Sequence, residues 1–490
     1  MTDKKNIVAF YAASLLFILA DAALVMFNQN YLVALLPLAL LIVYLALFKL
    51  DTLLLAVVFF TPLSLNITRI PGFGLGQVGV GVALPTEPIM FGAMLIFFLR
   101  LAHGGLDKRI TKHPMSIVII AGLVWMLVTA CTSTMPFVSF KFLIERCWGV
   151  IAFYFLGICL FDKRKNIITF CWLYIISLSA VVVYAIIKHA HGHFAEKPAH
   201  EAAVPFYNDH TAYGALLAMF IPVVVGLAFI KTDNKKGKVL APFFAGLFII
   251  ALGLSYSRAG WVSIAGLIAV LIIMLLRVSL RTILVMLIIT LGVAFVYQDK
   301  IMMKLQQNNK EVSENLTTEI QSISNISSDA SNRERINRWS CAIRMFRDKP
   351  FLGFGPGTYQ FQYAPYQLSY NRTIISTNMG NGGNAHSEYL GPLSEEGFLG
   401  MLAMLAIVVV ATILAFNLYY RLEERDLRII VLSIYLGLVT YFIHGGMNNF
   451  LDTDKAAVPF WGFLGILTAI DIKYGRKKTE MPTPAPVSAS

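Results

Sequence analysis

Four arginines and one histidine have side chains suited to phosphate binding and proton transfer. Arg333, Arg335 and Arg338 lie close together in the sequence, and Arg258 stands in the motif SYSRAGW between two apolar segments. A guanidinium can bind a phosphate in bidentate fashion and keeps its charge. His386 opens HSEYLGPLSEEGFLG, and an imidazole can accept a proton near neutral pH. These residue types predict a site where an anionic substrate meets a general base.

Three further residues are predicted to support this site. His210 begins an apolar segment and is expected to face the same outer vestibule. Glu388 turns away from His386 if a helix begins at that histidine. Glu395 lies deeper in the same segment, where a carboxylate either has a function or pairs with an arginine. Simpler alternatives stay open: the arginine cluster around Arg333 binds anionic headgroups or is solvated, and His386 is an ordinary surface residue.

The composition places these residues in a membrane protein. Of 490 residues, 57% are hydrophobic and 14% are charged, whereas a soluble domain carries roughly 25% charged residues. Many apolar stretches are long enough to cross a hydrocarbon core about 30 Å thick. We therefore predict an all-α polytopic membrane protein with about 12–14 transmembrane helices. The predicted spans lie at residues 6–27, 31–49, 51–66, 85–102, 115–131, 139–161, 166–188, 211–230, 239–256, 260–276, 280–297, 388–417, 428–446 and 456–472.

The sequence predicts four parts along the chain. Residues 1–297 form an N-terminal transmembrane bundle, 298–387 a large extracytoplasmic catalytic loop, 388–473 the C-terminal transmembrane helices, and 474–490 a disordered cytoplasmic tail. With the N-terminus in the cytoplasm, most Lys and Arg residues outside the long loop lie in cytoplasmic connections, as the positive-inside rule requires. The net charge of +12 is thus a topology signal and does not indicate nucleic-acid binding. Both termini are expected in the cytoplasm.

The long loop is predicted to contain an amphipathic helix that carries the arginine cluster. Ser331 and Glu334 form a capping box at its start, and Lys349-Pro350 ends it. An apolar stripe follows the capping box at spacings of three and four residues: Ile336, Trp339, Ile343 and Phe346. The helix is too polar to span the membrane, so it lies on the membrane surface or packs over the bundle.

Three motifs, taken in order, resemble the signature of the O-antigen ligase and polymerase superfamily. They are SYSRAGW, R-x-x-R-W followed by DKPFLGFGPGTYQ, and HSEYLGPLSEEGFLG, within residues 210–400. The resemblance implies a glycosyltransferase on the outer, periplasmic face of the bacterial inner membrane. Its donor would be a glycan on undecaprenyl diphosphate, and its acceptor a hydroxyl of lipid A–core or another glycan. We expect no metal or other cofactor, because arginines supply permanent positive charge.

By resemblance, His386 would deprotonate or orient the acceptor hydroxyl, while Arg258 and Arg335 would hold the diphosphate and stabilise the leaving group. Arg338 and then Arg333 are further candidates for that role. Three alternatives stay open: an O-antigen or exopolysaccharide polymerase, a protein-directed oligosaccharide transferase, and a polytopic transporter of an anionic or lipid-linked substrate. Transporters commonly contain internal repeats. The sequence shows none, which favours an enzyme.

Overall fold

The computed structural model describes residues 16–18, 20, 22, 36–67, 82–231, 235–278, 282, 330–368 and 383–474. Within them the backbone is helical apart from turns and one pair of two-residue strands. A helix satisfies its backbone hydrogen bonds internally, which the hydrocarbon core demands. The prediction of an all-α polytopic membrane protein is confirmed.

The chain divides into two compact units, Met1–Ala56 and Val57–Ser490. The first unit contains helix α1 (Leu36–Phe48) and helix α2 (Leu50–Phe60) as far as Ala56. All the residues predicted to form the site belong to the second unit. The four-part division predicted from the sequence stays a prediction.

After the end of α2, the second unit contains an antiparallel pair of short strands in which Leu65 lies opposite Leu84. Its helices follow in chain order: α3 (Thr86–Gly104), α4 (Lys108–Thr111), α5 (Pro114–Cys131), α6 (Pro136–Leu160), α7 (Arg164–His191), α8 (Glu196–Ala199), α9 (His210–Phe229), α10 (Lys235–Leu254), α11 (Arg258–Leu275), α12 (Ala330–Asp348), α13 (Tyr359–Gln362), α14 (Leu390–Glu395), α15 (Gly397–Arg421), α16 (Arg425–His444) and α17 (Asp454–Tyr474).

Nine helices in the described residues are long and apolar enough to cross a membrane, and three shorter apolar helices accompany them. These twelve helices lie where spans were predicted. Two further predicted spans, 280–297 and most of 6–27, lie outside the described residues. Helices α16 and α17 are largely buried within the unit, and α16 packs against α9, α11, α15 and α17. Helix α15 instead exposes apolar side chains such as Val409, as a lipid-facing helix does.

The predicted span 388–417 is wrong at its beginning, because two helices, α14 and α15, occupy it. The chain turns at Gly397, whose φ is +72°. A Cβ at this position would lie 2.2 Å from the carbonyl oxygen of Phe351, so only glycine fits without displacement. Glu388, the first residue of the predicted span, lies with His386 in the loop before α14, which begins at Leu390.

Candidate functional site

Helix α12 carries the arginine cluster, as predicted. Arg338 is buried; its Nε donates to Glu334 at 2.7 Å and its Nη1 donates to the backbone carbonyl of Asn384 at 3.0 Å. Its guanidinium also lies 5.3 Å from the ring centroid of Tyr363. Arg338 therefore joins α12 to the loop that precedes His386. Arg335 is half-buried, and the third member of the cluster, Arg333, is exposed.

One predicted detail of α12 is wrong: Ser331 lies inside the helix, which begins at Ala330, and so is not its N-cap. The face that is buried within the protein was not predicted; it carries Glu334, Asn337, Arg338, Cys341, Ala342 and Met345. Polar side chains can be buried here because they have partners. Asn337, for example, donates from Nδ2 to Oε1 of Gln367 at 3.0 Å.

His386 lies in the loop before α14, so no helix begins at this residue. Its φ of +49° places a non-glycine residue in the left-handed region, which costs about 1–3 kcal/mol and is found most often at functional sites. Its backbone N–H donates to Oδ1 of Asn384 at 3.1 Å, and its carbonyl accepts from Nε1 of Trp339 at 3.2 Å. The side chains of Asn384 and Trp339 thus hold the backbone of His386 in this conformation.

The His386 imidazole lies in a positive electrostatic field. Burial, followed by the charges of Arg338 and Arg335, lowers its pKa to about 4, although Asp209 acts in the opposite direction. A pKa in this range keeps the ring neutral at pH 7. The neutral ring has a free nitrogen lone pair that can accept a proton, and its low pKa makes it a weak base.

Arg258 joins the same cluster through His210. Both Arg258 and Arg335 interact electrostatically with His210, whose ring stacks on His200 with centroids 4.1 Å apart. Three separate segments, at the beginnings of α9 and α11 and on α12, therefore contribute cationic or imidazole groups to one region. Arg335 also acts on the His386 ring, so these residues lie in one region, and the roles predicted for them stay predictions.

The beginnings of α9 and α11 lie side by side because a glycine permits close contact. A Cβ on Gly214 would lie 2.5 Å from Cβ of Ser257. Ser257 caps α11, and Asp209 caps α9 by accepting the N–H of Ala212 at 2.8 Å. His210 and Arg258 are the first residues of these two helices. The positive N-terminal ends of helices favour an anion.

Glu388 anchors the His386 loop to the connection between α16 and α17. Its Oε1 accepts from the Tyr441 hydroxyl at 2.6 Å and from the backbone N–H groups of Phe450 at 2.8 Å and Leu451 at 2.9 Å. Its own backbone N–H donates to the carbonyl of Gly445 at 2.7 Å. Burial raises the pKa of Glu388. The supporting role of this residue is therefore to fix the loop.

Glu395 supports the glycine-rich turn of the GFGPGTY motif. Its Oε1 accepts from the backbone N–H of Tyr359 at 2.8 Å, and its carbonyl accepts from Gly355 N–H at 2.7 Å. Burial raises the pKa of Glu395 to about 8. The carboxyl group therefore binds a backbone group and not the arginine that was one predicted partner, and its supporting role stays a prediction.

His444 is a residue of the site that the sequence analysis missed. It ends α16, is 1% exposed, and its Nε2 accepts from Nδ2 of Asn448 at 3.1 Å. Nδ1 has no hydrogen-bond partner in the described part of the chain. Arg335 and Asp209 interact with His444 electrostatically, which places it near the cluster. The sequence offered one signal for this residue: a histidine at the end of a predicted span, directly before the Gly-Gly pair of FIHGGMNN.

The assembled groups suit transfer chemistry on a phosphorylated substrate. They supply permanent cations, helix N-termini and a neutral imidazole within one region. In the described residues, no three His, Cys, Asp or Glu side chains are grouped so that they could hold a metal ion.

Comparison with known proteins agrees with the motifs. A family model described as O-antigen ligase matches residues 243–405. The match includes Arg258, the arginine cluster and His386, and it confirms the resemblance to the O-antigen ligase superfamily. The search among curated proteins found no match to the chain. Residues 243–405 are therefore similar to an O-antigen ligase domain, which supports a membrane protein that transfers glycans as the general activity.

Proposed function

We propose that this protein transfers a glycan from undecaprenyl diphosphate to an acceptor hydroxyl at the periplasmic face of the bacterial inner membrane. The acceptor is lipid A–core or another surface glycan, and both termini of the chain are cytoplasmic. The ligase domain supports glycan transfer in general. The observation that carries the finer proposal is the attachment of the His386 loop to the arginine-bearing helix α12, through Arg338 to Asn384 at 3.0 Å and through Trp339 to His386 at 3.2 Å.

In the proposed reaction, His386 accepts the acceptor's hydroxyl proton while the oxygen attacks the anomeric carbon of the donor. The bond between that carbon and the phosphate oxygen breaks, and undecaprenyl diphosphate leaves. Negative charge then rises on the departing phosphate, where Arg258 and Arg335 would neutralise it. The proton on His386 passes to water after the glycan has moved.

The arginines have different roles in this proposal. Arg335 and Arg258 bind the diphosphate, because they lie at the accessible edge of α12 and at the N-terminus of α11. Arg338 is a positioning residue, since its guanidinium contacts Glu334, Asn384 and Tyr363. Exposed Arg333 attracts the donor at longer range.

The decisive experiment is reconstitution in liposomes with lipid-linked glycan and a set of acceptors. Wild type should label an acceptor, whereas His386→Ala and Arg258→Ala should not. Normal transfer by both variants would contradict the site assignment. The identity of the labelled acceptor distinguishes ligase from polymerase activity, because a polymerase labels a second lipid-linked repeat unit. Absence of transfer with every acceptor, together with movement of the lipid-linked glycan across the bilayer, would favour the transporter.

A further inference from the structure

The turn that follows helix α12 exposes two large apolar side chains. Phe351 is 77% exposed, and Leu352 beside it is exposed as well, although residues 353–356 directly after them are buried. We call residues 350–353 the Phe351 turn. Exposed large apolar side chains that lie together commonly mark a surface for lipid or for another protein.

Hydrogen bonds place the Phe351 turn at the ends of two membrane helices. On one side, the backbone N–H of Phe398, the second residue of α15, donates to the carbonyl of Pro350 at 2.9 Å. On the other side, the N–H of Thr134, just before α6 begins, donates to the carbonyl of Phe354 at 2.9 Å. Helices α6 and α15 are both long and apolar enough to span the membrane. The turn therefore lies at the level where these two helices end.

The backbone of the turn is held closely against the start of α15. The N–H of Phe354 donates to the carbonyl of Ser394 at 3.2 Å. Gly353 has a φ of +63°, and a Cβ at this position would lie 2.3 Å from the carbonyl oxygen of Glu395, so a side chain there would have to displace backbone atoms. The exposed side chains of Phe351 and Leu352 are thus presented from a fixed position.

The beginnings of the two membrane helices continue this apolar surface. Phe137, the second residue of α6, is 83% exposed, and Phe398 and Leu399 at the beginning of α15 are exposed as well. On a helix that spans the membrane, such side chains face lipid. Because Phe398 is bonded directly to the Phe351 turn, the turn extends a lipid-facing surface.

The charged residues near the turn suit the headgroup region. Arg347, Asp348 and Lys349 are exposed, whereas Glu395 and Glu396, whose backbone atoms contact the turn, are buried. The exposed groups are two cations and one anion, which leave one net positive charge. Long basic side chains can keep their charge among the headgroups while their stems lie on apolar surface. Charges at this position also disfavour deeper insertion of the chain.

We propose that the Phe351 turn is a membrane-interface anchor. Phe351 and Leu352 insert at the boundary between headgroups and acyl chains, in the leaflet where α6 and α15 end, as apolar side chains of interfacial segments do. The last turn of α12 then lies at the bilayer surface. Arg335 is about 20 Å away along the helix, at a rise of roughly 1.5 Å per residue, so the anchor fixes one end of the helix that carries the arginine cluster.

Site-specific photocrosslinking tests the contact with lipid. A phenylalanine analogue with a diazirine on its ring replaces Phe351 in the full-length protein, which is reconstituted in vesicles of dioleoylphosphatidylcholine. Because the ring is exposed, the small added group should leave the fold unchanged. Illumination should attach phosphatidylcholine to the peptide that contains position 351, and mass spectrometry of the digested protein detects this adduct.

Phe194 provides the matched control because it is also an exposed phenylalanine outside a membrane helix. It follows α7, which has 28 residues. A helix of this length extends about 42 Å, whereas the hydrocarbon core is about 30 Å thick. The analogue at position 194 should therefore react mainly with water, and its lipid adduct should be several-fold weaker than at position 351. The analogue in place of Phe243, exposed on the apolar helix α10, should give a strong lipid adduct.

Four results would overturn the anchor. Lipid adducts of equal yield at positions 351 and 194, or a water adduct alone at position 351, would show that the turn does not enter the bilayer. A crosslink from position 351 to another part of the same chain would show that a protein segment covers the turn. A crosslinked dimer would instead show that a second copy covers it. Glycan transfer enters none of these measurements, so the anchor and the transferase proposal can fail separately.

Discussion

Nε1 of Trp339 lies 3.2 Å from the backbone carbonyl oxygen of His386 and donates a hydrogen bond to it. The two residues belong to different elements, since Trp339 lies on α12 and His386 in the loop before α14. The bond helps to hold His386 at φ +49°. Helix α12 therefore positions the histidine in addition to carrying the arginine cluster.

Replacing Trp339 with Phe should slow transfer by displacing His386. Loss of one hydrogen bond costs about 1 kcal/mol, which corresponds to a roughly fivefold lower kcat. The donor KM should stay near the wild-type value because the arginines are unchanged. Steady-state kinetics in liposomes measure both constants. Trp172→Phe, on α7 beside Phe244, is the control; equal effects of the two substitutions would contradict the positioning role.

Replacing His386 with Gln should remove the general base and keep donor binding. General-base catalysis contributes roughly 10²–10⁴-fold to rate, so kcat should fall by about that factor. Binding of a labelled lipid diphosphate, measured by equilibrium filtration, should be unchanged. His191→Gln, at an exposed position near the end of α7, should behave as wild type. A rate loss below about threefold would be inconsistent with proton transfer to His386.

Lysine substitutions of the arginines test bidentate phosphate binding. Arg335→Lys and Arg258→Lys retain the charge but lose the fork geometry. A charge-assisted hydrogen bond is worth about 1.5–3 kcal/mol, so kcat/KM for the donor should fall roughly 10- to 100-fold. The exposed Arg347 on the same helix provides a matched control as Arg347→Lys. Wild-type donor kinetics in both site variants would exclude them as diphosphate ligands.

The pH profile should report the lowered pKa of His386. Since the pKa is about 4, the imidazole is neutral and active at pH 6–8, and kcat/KM should fall only as the pH drops through about 4. Arg338 disfavours the charged imidazolium, so Arg338→Gln should raise the pKa and move this acidic limb to higher pH. Rates across the pH range for wild type and variant measure the shift. An acidic limb at the same pH in both would contradict the electrostatic role of Arg338.

The sequence predicted the membrane helices well because a lipid-spanning helix needs a long apolar run, which is a local property. The helix that carries Arg335 was also predicted from a local property, the spacing of its apolar residues. Which face of this helix is buried was not predicted. Arg338 and Glu334 lie on that face because each has a partner, and the partner Asn384 comes from a remote loop. Long-range contacts of this kind have no local sequence signal.

The backbone of His386 was beyond sequence prediction for the same reason. Its left-handed conformation depends on Trp339 and Asn384, and the break at Gly397 depends on contact with Phe351. Apolar periodicity instead favoured one continuous helix from residue 388 onward. The motifs nevertheless pointed to the arginines and histidines that the structure brings together, because residue types and spacing can be recognised without knowledge of the backbone.

The role of Glu388 as the anchor of the His386 loop can be tested by two substitutions that differ in what they leave unpaired. Glu388→Ala removes the acceptor for the Tyr441 hydroxyl and for the backbone N–H groups of Phe450 and Leu451. Each buried donor without a partner costs about 1–3 kcal/mol, so this variant should unfold at a markedly lower temperature. Glu388→Gln keeps an oxygen at the same position and should lose far less stability.

Thermal unfolding in detergent measures the stability of both variants, and transfer kinetics measure their activity. Because the carboxyl group serves the loop and not the proton transfer, the Gln variant should retain most of the wild-type kcat; a loss comparable to that of His386→Gln would instead give Glu388 a direct part in catalysis.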